Sequence, residues 1–186
     1  MRAAEMRGRT VIVTGACHVI GHGTGHGVGA AASRALSGAG AAVVLAACGC
    51  RASAELAAEV GAVAVLADLA NPVSVRRLVE QTLGAFGRLD AAANLGDGMA
   101  AVMAYEIAAM RRTGGGRIVN LALTPAVRDL TRAAALEHAG TGIRIDTVEP
   151  GPRAAEVVVR LCCAEKFLPP DVVPDVKDGR WAPTDR

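Results

Sequence analysis

Aromatic side chains are nearly absent from this sequence. They make up 2% of its 186 residues, with one tryptophan and one tyrosine. Hydrophobic residues nonetheless account for 52% of the chain, so a core has to be built mainly from alanine, valine and leucine. Because small side chains bury less apolar area each, we expect modest stability or support from a partner subunit.

Long apolar runs and a strong net charge are also missing. No run reaches the length that spans a bilayer, and no apolar segment follows Met1 as in a secretory signal. The formal net charge is +2, which gives no electrostatic basis for binding nucleic acid or an acidic membrane. We therefore expect a cytoplasmic protein that binds neither nucleic acid nor a membrane.

Cysteine is present in an odd number, five residues, without secretory context. This pattern indicates reduced thiols rather than a disulfide framework. The close spacing of Cys48 and Cys50, and of Cys162 and Cys163, also permits a soft-metal site. Because reduced cysteine usually behaves as a small hydrophobe, we expect all four to be buried.

Short apolar segments alternate with helical segments along the chain. The predicted strands are residues 10–14, 42–46, 62–67, 89–94, 117–122, 143–148 and, more weakly, 172–176. The predicted helices are residues 29–37, 52–60, 72–85, 99–112, 125–139 and 154–164. Nearly continuous runs of Val, Ile, Leu and Ala are typical of parallel strands buried on both faces.

This alternation predicts a single α/β domain with a doubly wound parallel sheet of six to seven strands, the Rossmann fold. The domain is predicted to cover residues 1–168. Residues 169–186 are rich in proline and charge, and we expect them to form a strand remnant and a loosely held tail.

The glycine-rich segment at residues 11–29 reads VIVTGACHVIGHGTGHGVG. An apolar strand, a glycine loop and a helix in this order are typical of a dinucleotide site, where the pyrophosphate lies on the helix N-terminus. The loop also carries His18, His22 and His26. Together with Cys17, these histidines are candidate zinc ligands. Alternatively, the loop is a solvated insertion, and we assign no metal.

A series of segments resembles motifs of the short-chain dehydrogenase/reductase family. Thr14-Gly15-Ala16 and Gly27-Val28-Gly29 are similar to the two halves of its TGAxxGIG loop. Residues 93–96 are similar to the family's NNAG motif, residues 115–120 to GGRIVN, and residues 130–137 to the helix that follows the catalytic lysine. Residues 142–146 are similar to GIRVN, residues 149–151 to the PG turn, and residues 178–181 to DGGW. The resemblance implies a Rossmann-fold oxidoreductase that transfers a hydride between NADP or NAD and a carbonyl or alcohol.

The resemblance also implies a set of cofactor-binding residues. They are Gly15, His26, Gly27, Val28, Gly29, Asp68, Leu69, Asn94, Gly96, Pro150 and Gly151. The second strand ends in Ala46-Ala47-Cys48, without the acidic residue that would hold the ribose of NAD. The missing acidic residue favours NADP over NAD, with His26 and Arg51 as candidate partners of the 2′-phosphate. The alternative is that the chain binds a dinucleotide only weakly.

Several departures from the family pattern concern catalysis. The serine, tyrosine and lysine set cannot be mapped, since Leu121-Ala122-Leu123 follows Asn120 and the one tyrosine is Tyr105. The segments after the fourth, fifth and sixth strands are shorter than in the family, and the glycine loop is longer. We therefore assign no catalytic residue, and the substrate, a small molecule, cannot be named.

Three functions stay open from the sequence. They are a weakened NADP-linked oxidoreductase, a non-catalytic binding or dimerisation module, and non-redox chemistry by the histidine loop or by Asp97 or Glu106; a decayed family gene is also possible. The family's fourth and fifth helices commonly pack between subunits, so a homodimer or larger homo-oligomer is expected.

Tyr105 and Glu106 are interpreted as a surface or interface pair in preference to site remnants, and Asp146 as structural.

Overall fold

Six parallel strands form one sheet in the computed structural model, which describes residues 6–16, 27–95 and 98–164. Their order across the sheet is β3-β2-β1-β4-β5-β6. The strands are β1 (Thr10–Thr14), β2 (Ala42–Ala47), β3 (Val63–Leu66), β4 (Ala91–Asn94), β5 (Gly116–Leu121) and β6 (Ile143–Val148). The doubly wound α/β fold is therefore confirmed.

Six helices cover the two faces of this sheet within the described residues. They are α1 (Val28–Gly38), α2 (Arg51–Val60), α3 (Pro72–Phe86), α4 (Met99–Arg112), α5 (Pro125–Glu137) and α6 (Ala154–Cys163). Helices α1, α2 and α6 share one apolar core with the sheet, and α3, α4 and α5 pack on the other. Each central strand is thus buried on both faces, which explains its unbroken apolar sequence.

Alanine replaces bulky side chains at the centre of the sheet. Ala91, Ala92 and Ala93 of β4 are fully buried, so helices on both faces pack close to this strand. The edge strand β3 differs, because the side chains of Val63 and Leu66 are exposed. The low aromatic content is therefore met by close packing of small residues rather than by large side chains.

The helix boundaries follow local signals. Asn71 and Thr124 cap α3 and α5 by accepting hydrogen bonds from the N–H groups of Val73 (3.0 Å) and Val127 (3.4 Å). A proline follows each cap, as the sequence predicted. Helix α5 ends two residues earlier than predicted, because the His138 backbone has left helical geometry before Gly140 turns the chain at φ +78°.

Two predicted features lie outside the described residues: the strand at 172–176 and most of the glycine loop, 17–26. The boundary at residue 168 stays a prediction for the same reason. Among the helices that the structure describes, none combines the length and the apolar character needed to cross a bilayer.

Candidate functional site

Between β1 and β4 the sheet changes the direction in which successive strands are added, although all six strands are parallel. From β1 the chain continues through β2 to β3 on one side, and from β4 through β5 to β6 on the other. Loops leaving the carboxyl ends of β1 and β4 therefore diverge, which opens the crevice where α/β sheets of this kind bind ligands. Gly15 follows β1, and Asn94 ends β4.

Helix α1 approaches the end of β1 so closely that it requires glycine. A Cβ atom on Gly29 would lie 2.5 Å from the Ala16 Cα and 3.1 Å from the Gly15 carbonyl oxygen. Gly15 itself has φ +69°, a conformation that favours glycine. Gly27, the N-cap residue, has no side-chain oxygen to offer the first-turn N–H groups. These backbone groups can therefore donate to an anion.

A row of polar residues crosses the sheet at this edge. Thr14, Asn94, Asn120 and Thr147 are register partners on β1, β4, β5 and β6. The Thr14 hydroxyl donates to Asn94 Oδ1 (3.3 Å), and Asn94 Nδ2 donates to Asn120 Oδ1 (3.1 Å). All four are buried, and these bonds satisfy polar groups of Thr14, Asn94 and Asn120 that the core would otherwise penalise.

Glu106 of α4 joins this row from the neighbouring helix. Its Oε2 accepts a hydrogen bond from Asn94 Nδ2 at 2.8 Å, and the side chain is fully buried. Its other oxygen, Oε1, has no hydrogen-bond partner among the described residues. Burial raises the pKa of this carboxyl to about 7, and the Asn94 hydrogen bond offsets part of the increase. The interpretation of Glu106 as a surface group is therefore wrong.

Asn120 extends the network towards α5. Its Nδ2 donates to Thr131 Oγ1 at 3.0 Å, and Thr131 donates onward to the Val127 carbonyl at 2.7 Å. Neither side chain was assigned a role from the sequence. The available signal was a single amide within the apolar run Ile118-Val119-Asn120-Leu121, because a buried polar residue implies a partner.

Sequence comparisons with known proteins give two similarities. The family model for enoyl-(acyl carrier protein) reductase matches residues 21–101. A curated relative, the short chain dehydrogenase/reductase astE of Aspergillus oryzae, is 28% identical over an alignment of 203 positions that covers 83% of this chain and 75% of that protein. The sequence motifs, the family-model match and the curated relative agree on the short-chain dehydrogenase/reductase family as the one that this chain resembles.

Solved structures of family members have the same fold. A short chain dehydrogenase from Mycobacterium smegmatis superposes with a TM-score of 0.74 at 22% identity, covering 86% of this chain and 88% of that one. A metagenomic short-chain oxidoreductase in complex with NADP gives a TM-score of 0.76 at 21% identity, covering 88% and 95%. At this level of identity the likeness concerns the fold.

Asp68 and Leu69, where the family holds the adenine, lie beside the start of α4. Asp68 is exposed and its Oδ1 accepts from the Ala70 N–H at 3.0 Å. A Cβ atom on Gly98, which has φ +82°, would lie 2.6 Å from the Leu69 carbonyl oxygen. The segment after β3 therefore reaches across to the segment after β4, on the crevice side of the sheet.

The remaining predicted cofactor residues of the family are distributed more widely. Val28 is buried at the start of α1. Pro150 and Gly151 follow β6, which is separated from β1 by β4 and β5. His26 and Gly96 lie outside the described residues, as do His18, His22, Cys17 and Asp97.

The cysteines divide into two kinds. Cys162 and Cys163 on α6 are buried, as predicted, but Cys48 and Cys50 are exposed, so the prediction is wrong for this pair. They occupy the turn between β2 and α2, outside the two apolar cores. Among the described residues no group of three or more His, Cys, Asp or Glu side chains could hold a metal.

A cavity of about 670 Å³ lies at the opposite, amino-terminal edge of the sheet. Its lining includes Arg9, Arg88, Asp90, Arg117 and Arg144. Asp90 accepts from Arg88 and from the Thr10 N–H, which joins β4 to β1 at this edge. Arg144 is paired with the buried Asp146 at 2.7 Å. The pairing agrees with a structural role for Asp146.

Proposed function

We propose that this chain binds NADP at the carboxyl edge of β1 and β4 and catalyses the family's carbonyl–alcohol hydride transfer only at a strongly reduced rate. The observation that carries the first part is the close approach of Gly29 to the Gly15–Ala16 backbone. It brings the N-terminus of α1, where glycine is the N-cap residue, close to the end of β1, where a pyrophosphate can accept from backbone N–H groups.

The residues present fit a dinucleotide. Backbone groups from Gly15 and from Gly27 to Gly29 would hold the pyrophosphate, and the Asp68–Leu69 segment would border the adenine. When bound, the cofactor supplies the hydride for carbonyl reduction. NADP is favoured because β2 ends without an acidic residue, while Arg51 begins α2 nearby. A fold neighbour is a complex with NADP.

Slow turnover follows from the residues around Asn94 and Asn120. Family catalysis uses a tyrosine with a lysine four positions later, but Ala109 stands four positions after Tyr105. The end of β5 continues as Leu121 and Ala122, without a hydroxyl. Loss of a positioned general acid typically costs about two to four orders of magnitude in rate.

NADPH is expected to bind more tightly than NADH, as measured by quenching or enhancement of nicotinamide fluorescence during titration. Arg51→Gln removes a charged partner for the 2′-phosphate and should weaken NADPH binding about tenfold. The same variant should leave NADH binding unchanged, which is the internal control. Absence of NADPH binding at millimolar concentration would refute the proposed function.

A second candidate, a binding or dimerisation module, is supported by the surface of α5. Thr131 is the buried residue of this helix. Leu130 and Leu136 are 37% and 63% exposed. Such apolar residues on a helix that commonly lies between subunits in this family favour a second copy of the chain as the partner.

Sedimentation velocity should therefore reveal a homodimer that weakens with dilution. Leu136→Glu places a charge on the proposed interface and should raise the dimer dissociation constant by at least about tenfold. Val73→Glu, at an equally exposed apolar position on α3, is the matched control and should not change it. A monomer at every concentration would exclude this candidate.

A further inference from the structure

Two thiols meet at the turn between β2 and α2. Cys48 follows the last residue of β2, and Cys50 is the N-cap residue of α2. Gly49 between them has φ +78°, which turns the chain back on itself. As a result the two sulfur atoms lie 3.0 Å apart, and both side chains are exposed.

The other described cysteines have the opposite environment. Cys162 and Cys163 are buried in α6, and burial raises the pKa of both thiols. The thiolate is the species that reacts with oxidants, so these residues are protected. Reaction with a soluble oxidant is therefore directed to the exposed pair, where a second thiol is already in contact.

The thiol pair also lies at a position that matters for the proposed cofactor site. Cys48 lies immediately after β2, where the family discriminates between the 2′-hydroxyl and the 2′-phosphate of the adenosine ribose. Arg51, the proposed phosphate partner, is the next residue after Cys50. A covalent bond across Cys48-Gly49-Cys50 would reshape the backbone immediately before Arg51.

We propose that Cys48 and Cys50 are a redox modification site that a hydroperoxide converts to a reversible disulfide, and that the disulfide weakens NADP binding. The effect on NADP binding rests on the proposed function, whereas the formation of the disulfide does not.

The chemistry balances with the peroxide as the oxidant. One thiolate attacks a peroxide oxygen, which breaks the O–O bond, forms a sulfenic acid and releases water from hydrogen peroxide. The second thiol attacks this sulfur, forms the S–S bond and expels the hydroxyl as a second water. Each cysteine loses one electron and one proton overall. A dithiol reverses the reaction by exchange, and exposed or strained disulfides are the readily reduced ones.

A metal site is the less favoured use of these sulfurs. Structural zinc is held by four ligands. Two sulfurs supply half of that set, and the described residues contain no cluster of three or more candidate ligands.

Coupling between the disulfide and the cofactor must be reciprocal. If oxidation weakens NADPH binding by a given factor, bound NADPH shifts the thiol–disulfide equilibrium towards the dithiol by the same factor. We expect a factor of about 10, within the usual range of such coupling.

Peptide mass spectrometry tests the disulfide directly on the full chain. Trypsin cleavage after Arg34 and Arg51 gives one peptide, residues 35–51, that contains both Cys48 and Cys50 and no other cysteine. After hydrogen peroxide and denaturing alkylation, this peptide should lose the mass of two hydrogen atoms and carry no alkyl group. Dithiothreitol should restore double alkylation. The Cys50→Ser variant should not form this species.

The alternative outcomes are distinct. Full alkylation of the peptide after peroxide, or a cross-link to the Cys17 peptide, would overturn the disulfide. So would zinc retained through dialysis at one ion per chain in wild type and lost in Cys50→Ser. For the effect on the cofactor, oxidation should weaken NADPH binding in wild type but not in Cys50→Ser. Equal NADPH affinity of oxidised and reduced wild type would overturn this effect. If reduced protein binds no NADPH, the cofactor proposal fails while the disulfide result stands.

Discussion

Replacing Gly29 by alanine is expected to lower the free energy of unfolding by about 2–4 kcal/mol. The added Cβ would lie 2.5 Å from the Ala16 Cα, well inside van der Waals contact. Because the obstructing atoms belong to the backbone at the end of β1, no rotamer change can relieve the clash. The N-terminus of α1 has to move away from the crevice, so NADPH binding should fall as well.

Urea unfolding followed by circular dichroism measures this loss, and Gly38→Ala is the matched control. Gly38 is in the same helix, and a Cβ there would meet no atom within 4 Å. Alanine is the better helix former, so the control should be unchanged or more stable by up to about 1 kcal/mol. Equal stability of the Gly29→Ala variant and wild type would contradict the close approach of Gly29 to Ala16.

Replacing Glu106 by glutamine is expected to remove a pH dependence of stability. The pKa of this carboxyl is about 7 in the folded protein against an ordinary 4.5, so folding favours the protonated form. The contribution of this carboxyl to the free energy of unfolding is complete below about pH 4.5 and is lost as the pH rises through 7. Between pH 5 and pH 8 the wild type should therefore lose about 2–3 kcal/mol relative to Glu106→Gln, which stays neutral.

Urea unfolding at intervals across this pH range gives the comparison. Glutamine keeps an oxygen that can accept from Asn94, so the hydrogen-bond geometry is preserved. Glu80→Gln, on the exposed surface of α3, is the control and should run parallel to wild type. Parallel curves for wild type and Glu106→Gln would mean that the buried carboxyl does not titrate in this range.

The strands were the most predictable part of the molecule. The predicted bounds of β1 and β6 agree with the structure, because their apolar runs end at turn residues and are buried on both faces. Helix α4 was also predicted with its observed bounds, since Gly98 and Gly114 flank it. The predicted limits of β3 were one residue too wide at each end, because this strand is largely exposed and its ends depend on its pairing with β2.

The glycine motif predicted part of the candidate site, but Glu106 was misjudged. Gly15 and Gly29 could be recognised because a close backbone approach demands glycine whatever surrounds it. For Glu106 the local signal was weak: it follows Tyr105, which is half-buried, and precedes Ile107, which is buried. A glutamate on such a helix is normally exposed, and its burial depends on Asn94 of a different element.

The sequence by itself therefore determined the fold and the positions where α1 requires glycine. The fold follows from unbroken apolar runs that alternate with helical segments, and the glycines follow from a close backbone approach, so both signals are local. Tertiary structure decided that Glu106, Asn94, Asn120 and Thr131 form one buried network, and that Cys48 and Cys50 meet at the surface. The physical reason is that burial and hydrogen bonding belong to contacts between elements, so the same side chain can be a solvated group or a buried acid.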